Sequence, residues 1–174
     1  YHCFSSNEHG NIFDFLMKTV NMNFGEAVRT LAADAGLPIY KFTKLDEERE
    51  KKWQTYSKIL EKYKSYYHNE LKNNKSKELE SYLLKRGLTD KEINYFEIGF
   101  VPKEPSFFEK LKNDFPESDI LNSGLFYFDE KNKTYIERFR ERILFPINGL
   151  TGSTIAFGGR TISNQKLAKY INSP

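Results

Sequence analysis

Between Trp53 and Leu71 a series of large apolar residues, Trp53, Tyr56, Leu60, Tyr63, Tyr67 and Leu71, recurs at intervals of three or four positions. Residues at that spacing share one face of an α-helix and no face of a strand. The stripe predicts a long helix on which the neighbouring segments pack. Lysines lie between the aromatics, and such a mixture can stack single-stranded bases. The strictly helical spacing favours a packing stripe with solvated lysines. The run Asp46-Glu47-Glu48-Arg49-Glu50-Lys51-Lys52 places acids ahead of bases, which suits a helix start.

Shorter helices are predicted on either side. Asn11 with Asp14, and Asn23 with Glu26, have the spacing of capping boxes. Phe13, Leu16, Met17 and Val20 form one apolar stripe over residues 11–22. Ala27, Val28, Leu31 and Ala35 form another over 23–36, where Gly36 and Pro38 end it. The two stripes are expected to pack together. Downstream, a helix over 76–86 should stop at Gly87, and Thr89-x-x-Glu92 is a further capping box. Ile98–Pro102 reads as extended, 107–115 as helical, and Ser118 as the cap of a short helix over 119–122.

After Gly124 the pattern changes to strands. Leu125-Phe126-Tyr127-Phe128 and Tyr135-Ile136 flank a polar loop, and residues 143–147 and 153–157 flank the turn Gly149-Leu150-Thr151-Gly152. Pro146 points to a strand edge or bulge. Gly158-Gly159 fits either a bend in the chain or close backbone approach to a ligand. Arg138, Arg140 and Arg142 sit at alternate positions. In an extended chain they would face one way, opposite Phe139 and Ile143. Ion pairing of at least one of them with Glu137 or Glu141 is expected.

The chain carries 27 Lys+Arg against 24 Asp+Glu, a net of +3. Residues 134–174 contribute six bases and two acids, so the remainder is close to neutral. A cationic segment with guanidiniums attracts polyanions, since Arg presents a planar fork of donors to phosphate. The basic side chains are expected to converge on one open concavity. One cysteine cannot form an internal disulfide, which favours a reducing, cytoplasmic setting, and no apolar run is long enough to span a membrane. Tyr1 is not an initiator Met and Pro174 closes an incomplete pattern, so the chain reads as a fragment. His2, Cys3 and His9 are metal-capable types. Four ligands in two close pairs are needed for a closed zinc site, and Cys3-Phe4-Ser5-Ser6 has a serine where the second thiol would stand. No metal site is expected within the chain.

Taken in order, these motifs resemble bacterial DNA primase. Tyr1-His2-Cys3-Phe4, His9-Gly10 and Phe15-Leu16-Met17 are similar to the second half of its zinc ribbon. Tyr82-Leu83 through Arg86-Gly87-Leu88-Thr89 and Phe96–Pro102 are similar to the family's Arg-Gly-Leu … Gly-x-x-Pro passage. Arg138-Phe139-Arg140-Glu141-Arg142, Phe145-Pro146-Ile147, Phe157-Gly158-Gly159-Arg160 and Lys169–Pro174 are similar to its basic polymerase motifs. The resemblance implies an α+β fold: a small helical zinc-ribbon remnant (1–38), a linker (39–50), and a helix-rich segment leading into a mostly antiparallel basic sheet (51–174). It implies synthesis of short RNA primers on single-stranded DNA, from ribonucleotides, with magnesium and zinc in the full-length protein and a replicative helicase as partner through a region outside this chain.

Within the family pattern Cys3 matches the third zinc ligand and Ser6 replaces the fourth, with the first pair expected before Tyr1. The catalytic magnesium-binding cluster is expected beyond Pro174, so the fragment alone should be inactive, with no catalytic residue of its own. Arg138, Arg140, Arg142, Arg160 and Lys169 are the candidate contacts to template or nucleotide, with Tyr170 and Asn172 lining the same groove. The alternative is a non-enzymatic module that binds nucleic acid or a protein partner.

Overall fold

The computed structural model describes residues 1–3, 5–6, 8–38, 43–150, 152–162 and 168–174. The chain divides into two compact units, Tyr1–Lys52 with Gly149–Ser153, and Trp53–Asn148 with Thr154–Pro174.

In the first unit, Tyr1 and Gly10 exchange backbone hydrogen bonds, and an isolated antiparallel bridge joins His2 to His9. Helix α1 spans Ile12–Thr19 and α2 spans Phe24–Asp34. Both predicted capping boxes form. The Asn11 side chain accepts from the Phe13 and Asp14 amides, and the Asn23 side chain from the Glu26 amide. The Phe13 and Phe24 rings pack with centroids 5.6 Å apart. Packing is shallow: α1 buries no residue, α2 buries only Ala27, and Val20 from the expected stripe is 53% exposed.

Helix α3 runs from Lys44 to Asn73. Residues 44–50, expected as linker, are helical because Thr43 and Asp46 cap each other: the Thr43 amide donates to the Asp46 carboxylate (3.0 Å) and the Asp46 amide to the Thr43 hydroxyl (3.3 Å). The remaining expected linker positions, 39–42, lie outside the described residues.

In the second unit the aromatic stripe becomes core. Leu60, Tyr63, Tyr67 and Leu71 are buried, while Trp53 at the upstream end is exposed. Helices α4 (Lys77–Lys85) and α5 (Asp90–Tyr95) follow, capped by Ser76 and Thr89, with Gly87 at φ +74° in the corner between them. Strand β1 (Gly99–Val101) leads to the short helices α6 (Phe107–Leu111) and α7 (Glu117–Asn122). The N-cap of α7 is Pro116 rather than Ser118, which lies inside the helix; Pro116 presets the entering backbone and its carbonyl accepts from Asp119 and Ile120.

Strands β2 (Phe126–Asp129) and β3 (Thr134–Glu137) form a hairpin. Strands β4 (Arg142–Asn148), β5 (Thr154–Thr161) and β6 (Tyr170–Asn172) join β1 in an antiparallel sheet of order β1-β4-β5-β6. Pro146 is tolerated in an inner strand because β1 pairs only with Arg142–Leu144 and ends before reaching it; the register shift follows at Ile147/Asn148. Thr151 of the expected turn lies outside the described residues.

Alternation along β4 and β5 gives the sheet two apolar faces. Leu144 and Phe157 pack with Tyr63, Tyr67, Phe107 and Phe139. Ile143 packs with Leu71, Leu79, Leu83 and Ile93, backed by Phe100, Phe145 and Ile162. Each fully buried large side chain contributes about 1.5–3 kcal/mol. A polar clasp holds the start of β5 to α3: Lys64 Nζ lies 2.8 Å from Glu61 and 2.6 Å from Glu97, and Glu61 accepts the Thr154 amide at 2.7 Å. Burial opposes the charge on Lys64, but its two carboxylates outweigh that and raise its pKa.

Candidate nucleic-acid interface

The expected row of three arginines does not form. Residues 138–141 make a turn, closed by Glu141 at φ +54°. The Arg138 amide donates to Leu125 (2.8 Å), its Nε donates to the Gly124 carbonyl (2.6 Å), and the Glu141 amide reaches the Pro102 carbonyl (3.4 Å). Arg138 is thus committed to backbone, Phe139 is fully buried, and Arg140 alone of the trio points out into solvent. A turn rather than a strand explains this: the alternation that would align the arginines stops at Glu137 and resumes at Arg142.

Arg142 belongs to β4 and is 6% exposed. Its register partner is Thr161, so it lies on the face of Leu144 and Phe157. Nη1 is buried without a hydrogen-bond partner. Desolvation lowers its pKa, against a smaller opposing pull from Glu141. The expected pairing with Glu137 is absent because Glu137 turns inward: Oε2 accepts the Tyr67 hydroxyl at 2.6 Å and Oε1 the Phe107 amide at 3.0 Å. Burial raises the Glu137 pKa, opposed by these same hydrogen bonds.

Arg160 pairs in register with Ile143 and Tyr170, and therefore occupies the opposite face from Arg142. Its Nε donates to the Tyr82 hydroxyl at 2.6 Å and its Nη1 to the Tyr170 hydroxyl. The guanidinium carbon stands 5.9 Å from the Tyr82 ring centroid and 5.0 Å from that of Tyr170, and Arg86 stands 5.6 Å from Tyr82 on its own account. Two guanidiniums and two tyrosines form one cation–π assembly at the sheet edge. Tyr170 remains 59% exposed. Asn172 shares its face, opposite Gly158, and Lys169, also exposed, immediately precedes β6.

The single concavity expected for all the basic residues is therefore replaced by three separate placements. Arg160, Tyr170 and Asn172 come together, Arg142 is buried behind them, and Arg138 and Arg140 belong to the turn. Lys166 lies outside the described residues. Gly158-Gly159 is no bend; both residues sit in the regular register of β5. A Cβ on Gly159 would meet Phe139 Cδ1 at 2.4 Å, so this glycine makes room for a core ring. Sequence reasoning missed Tyr82 and Arg86 as site residues. Arg86 was visible as part of a helix corner, but its proximity to Arg160 depends on a fold contact spanning 78 residues between Tyr82 and Arg160.

At the N-terminus, Cys3 Sγ lies 3.2 Å from the Ser5 hydroxyl. Hydrogen bonds from Ser5, then Ser6, bring its pKa down to about 6. That suits a thiolate ligand, but among the described residues no group of three His, Cys, Asp or Glu side chains could hold a metal ion. Among the described residues no helix is long and apolar enough to cross a membrane.

Residues 66–174 match the family model described as "DNA primase catalytic core, N-terminal domain", and residues 1–47 match "CHC2 zinc finger". The chain is 36% identical to the DNA primase of Salmonella typhimurium, over all of this chain and 30% of that protein. It is 35% identical to the DNA primase of Clostridium acetobutylicum, over all of this chain and 29% of that one. It thus spans about a third or less of the curated relatives it matches. Among solved structures it resembles a DnaG primase catalytic domain bound to ssDNA (TM-score 0.64, 31% identity, 72% of this chain and 40% of that one). It also resembles the Aquifex aeolicus primase comprising zinc-binding and RNA polymerase domains (TM-score 0.61, 26% identity, 99% and 41%).

Proposed function

The chain belongs to the DNA primase family, and we propose that within a longer primase it holds the single-stranded template and positions the incoming ribonucleotide for primer synthesis. The observation that carries this reading is the Arg160–Tyr170–Tyr82–Arg86 assembly. The exposed Tyr170 ring gives bases a stacking surface of any sequence, and guanidiniums beside it meet the phosphates. Lys169 and Asn172 extend the same edge strand, one as a cation and the other as an amide able to donate and accept. Arg140 supplies a second cationic contact at the turn. Arg138, fixed to the Gly124 carbonyl, holds that turn in place.

Residues 1–38 form the second half of a zinc ribbon in this reading. Cys3 is the thiolate available to it, and Ser6 stands where a fourth ligand would be. Magnesium, when bound to a primase, would offset negative charge on the triphosphate and lower the pKa of the attacking hydroxyl. No magnesium ligand and no catalytic residue is assigned within these 174 residues. Ribonucleotides and a replicative helicase are partners of the longer protein, the helicase through a region outside this chain.

The test is binding of a labelled single-stranded DNA oligomer at two salt concentrations. Arg160→Ala and Lys169→Ala are expected to weaken binding whatever the sequence, each lowering the salt slope by ~1. Binding unchanged in both variants would refute the proposed site.

A further inference from the structure

Glu137 is 3% exposed and ends the strand that enters the arginine turn. A buried carboxylate is costly unless its oxygens are occupied. Here both are, by donors from two different elements: the Tyr67 hydroxyl from α3 at 2.6 Å and the Phe107 amide, the first of α6, at 3.0 Å. The residue before α6, Ser106, makes no side-chain capping bond, so Glu137 supplies the cap in its place. The hydroxyl of Tyr63 lies beside the same carboxylate and helps stabilise its charge, although it makes no hydrogen bond of good geometry.

The next residues inherit this anchoring. Arg138 is tied to Leu125 and Gly124, Phe139 is packed against the Gly159 backbone and the Phe157 ring, and Glu141 is tied to Pro102. Arg140 is left as the outward-facing member, on a shallow cleft of about 330 Å³ that it shares with Lys103 and Asn132 and with the acids Glu104 and Asp129, and its charge helps hold the Asp129 carboxyl below its ordinary pKa, after the hydrogen bonds from Asn132 and Lys131. Three residues before Arg140, the end of β3 is fixed by the buried Glu137 carboxylate.

We infer that Glu137 is a positioning residue: its carboxylate locks α3, α6 and the end of β3 together, so that the turn presents Arg140 to nucleic acid in one orientation. This rests on the proposed template role of Arg140, and its test separates the two. An apolar or amide side chain of equal length distinguishes hydrogen bonding from volume. In Glu137→Gln the amide oxygen can accept from Phe107 while the amide NH₂ donates to the Tyr67 oxygen, so the lock is kept. In Glu137→Met it is lost with little change in volume, and Tyr67→Phe removes one of its two bonds.

Native-state hydrogen exchange of the intact chain reads the lock directly. Glu137→Met should accelerate exchange of the Arg138 and Glu141 amides ~10-fold or more, Tyr67→Phe should do so by less, and Glu137→Gln should leave them near wild type, as expected of local opening. The Ser173 amide, bonded to the Phe157 carbonyl at the far edge of the sheet, serves as the unaffected reference. Single-stranded DNA binding then reads the consequence: Glu137→Met should cost about as much affinity as Arg140→Ala, and the double variant no more than either, since contacts acting as one unit are not additive. Unchanged exchange at Arg138 and Glu141 in Glu137→Met, equal acceleration in Glu137→Gln, or additive losses in the double variant would overturn the inference. Wild-type affinity in Arg140→Ala would instead remove Arg140 from the template contacts, and the exchange pattern alone would decide whether Glu137 holds the turn. If Glu137→Met does not fold, Tyr67→Phe with unaltered exchange at both amides is the result that refutes the lock.

Discussion

Arg142 and Arg160 stand one register step apart on neighbouring strands and meet opposite fates. Arg142 faces the cluster of Tyr63, Phe139 and Phe157, is buried, and leaves one nitrogen without a partner. Arg160 faces the other side, where the sheet ends at β6, and its charge is shared between two tyrosine rings. The same residue type, in the same sheet, is a core element in one case and a half-buried charge at the sheet edge in the other. Strand parity and distance from the sheet edge make the difference; charge does not.

Glycine substitutions on β5 should break the symmetry most visibly. Gly159→Ala drives a methyl to 2.4 Å from a fully buried Phe139 ring, and overpacking of this kind should cost about 3 kcal/mol, seen as a lowered Tm. Gly158→Ala, whose Cβ would meet only the Asn172 side chain at 3.5 Å, should change stability by less than ~0.5 kcal/mol or raise it slightly through the unfolded chain. Equal losses in the two variants would contradict the two-face description.

Next in size, Tyr170→Ala should weaken single-stranded DNA binding by about 1–3 kcal/mol, the range for loss of a stacking ring, with Tm almost unchanged because the side chain is 59% exposed. Arg142→Met inverts this outcome. Replacing a buried guanidinium that has one unpartnered nitrogen by an apolar chain of similar length should leave DNA affinity at wild type and stabilise the fold by ~1 kcal/mol. A loss of affinity in Arg142→Met would move the residue back among the nucleic-acid contacts.

The smallest effect is a pH dependence on the buried face. Desolvation raises the folded-state pKa of Glu137 above its unfolded value. The contribution of that group is therefore fully present below about pH 4.3, the ordinary glutamate value, and declines as pH rises through the folded value. Glu137→Gln has no such titration. Its Tm relative to wild type should increase with pH across that window and be constant below it. A difference that shrinks as pH rises would show that the hydrogen bonds to Tyr67 and Phe107 outweigh burial.

Local signals in the sequence carried much of this fold. The boxes at Asn11/Asp14, Asn23/Glu26 and Thr89/Glu92 involve residues three apart, and the chain can form them with no tertiary help. The aromatic stripe of α3 and the β4–β5 hairpin were equally legible from periodicity. What escaped was non-local. Arg138, Arg140 and Arg142 alternate as a strand would, and only the positive φ of Glu141, unusual for a residue with a side chain, shows that they do not form one. Glu137, beside three arginines, reads as a surface ion-pair partner until Tyr67, seventy residues earlier, is found donating to it. Tyr82 and Arg86 joined the candidate site through contacts that no short window contains.

The borrowed cap of α6 bears on the order in which the molecule assembles. A helix of five residues has almost no tendency to persist by itself, since nucleation is unfavourable and few bonds repay it. Its first amide is satisfied only by a carboxylate thirty positions further on. Loop closure of that length must precede the reward, so α6 should gain protection late in refolding, with the β2–β3 hairpin and after α3. A chain emerging from the ribosome would therefore carry residues 107–111 as an unformed segment until the stretch containing Glu137 had also been made.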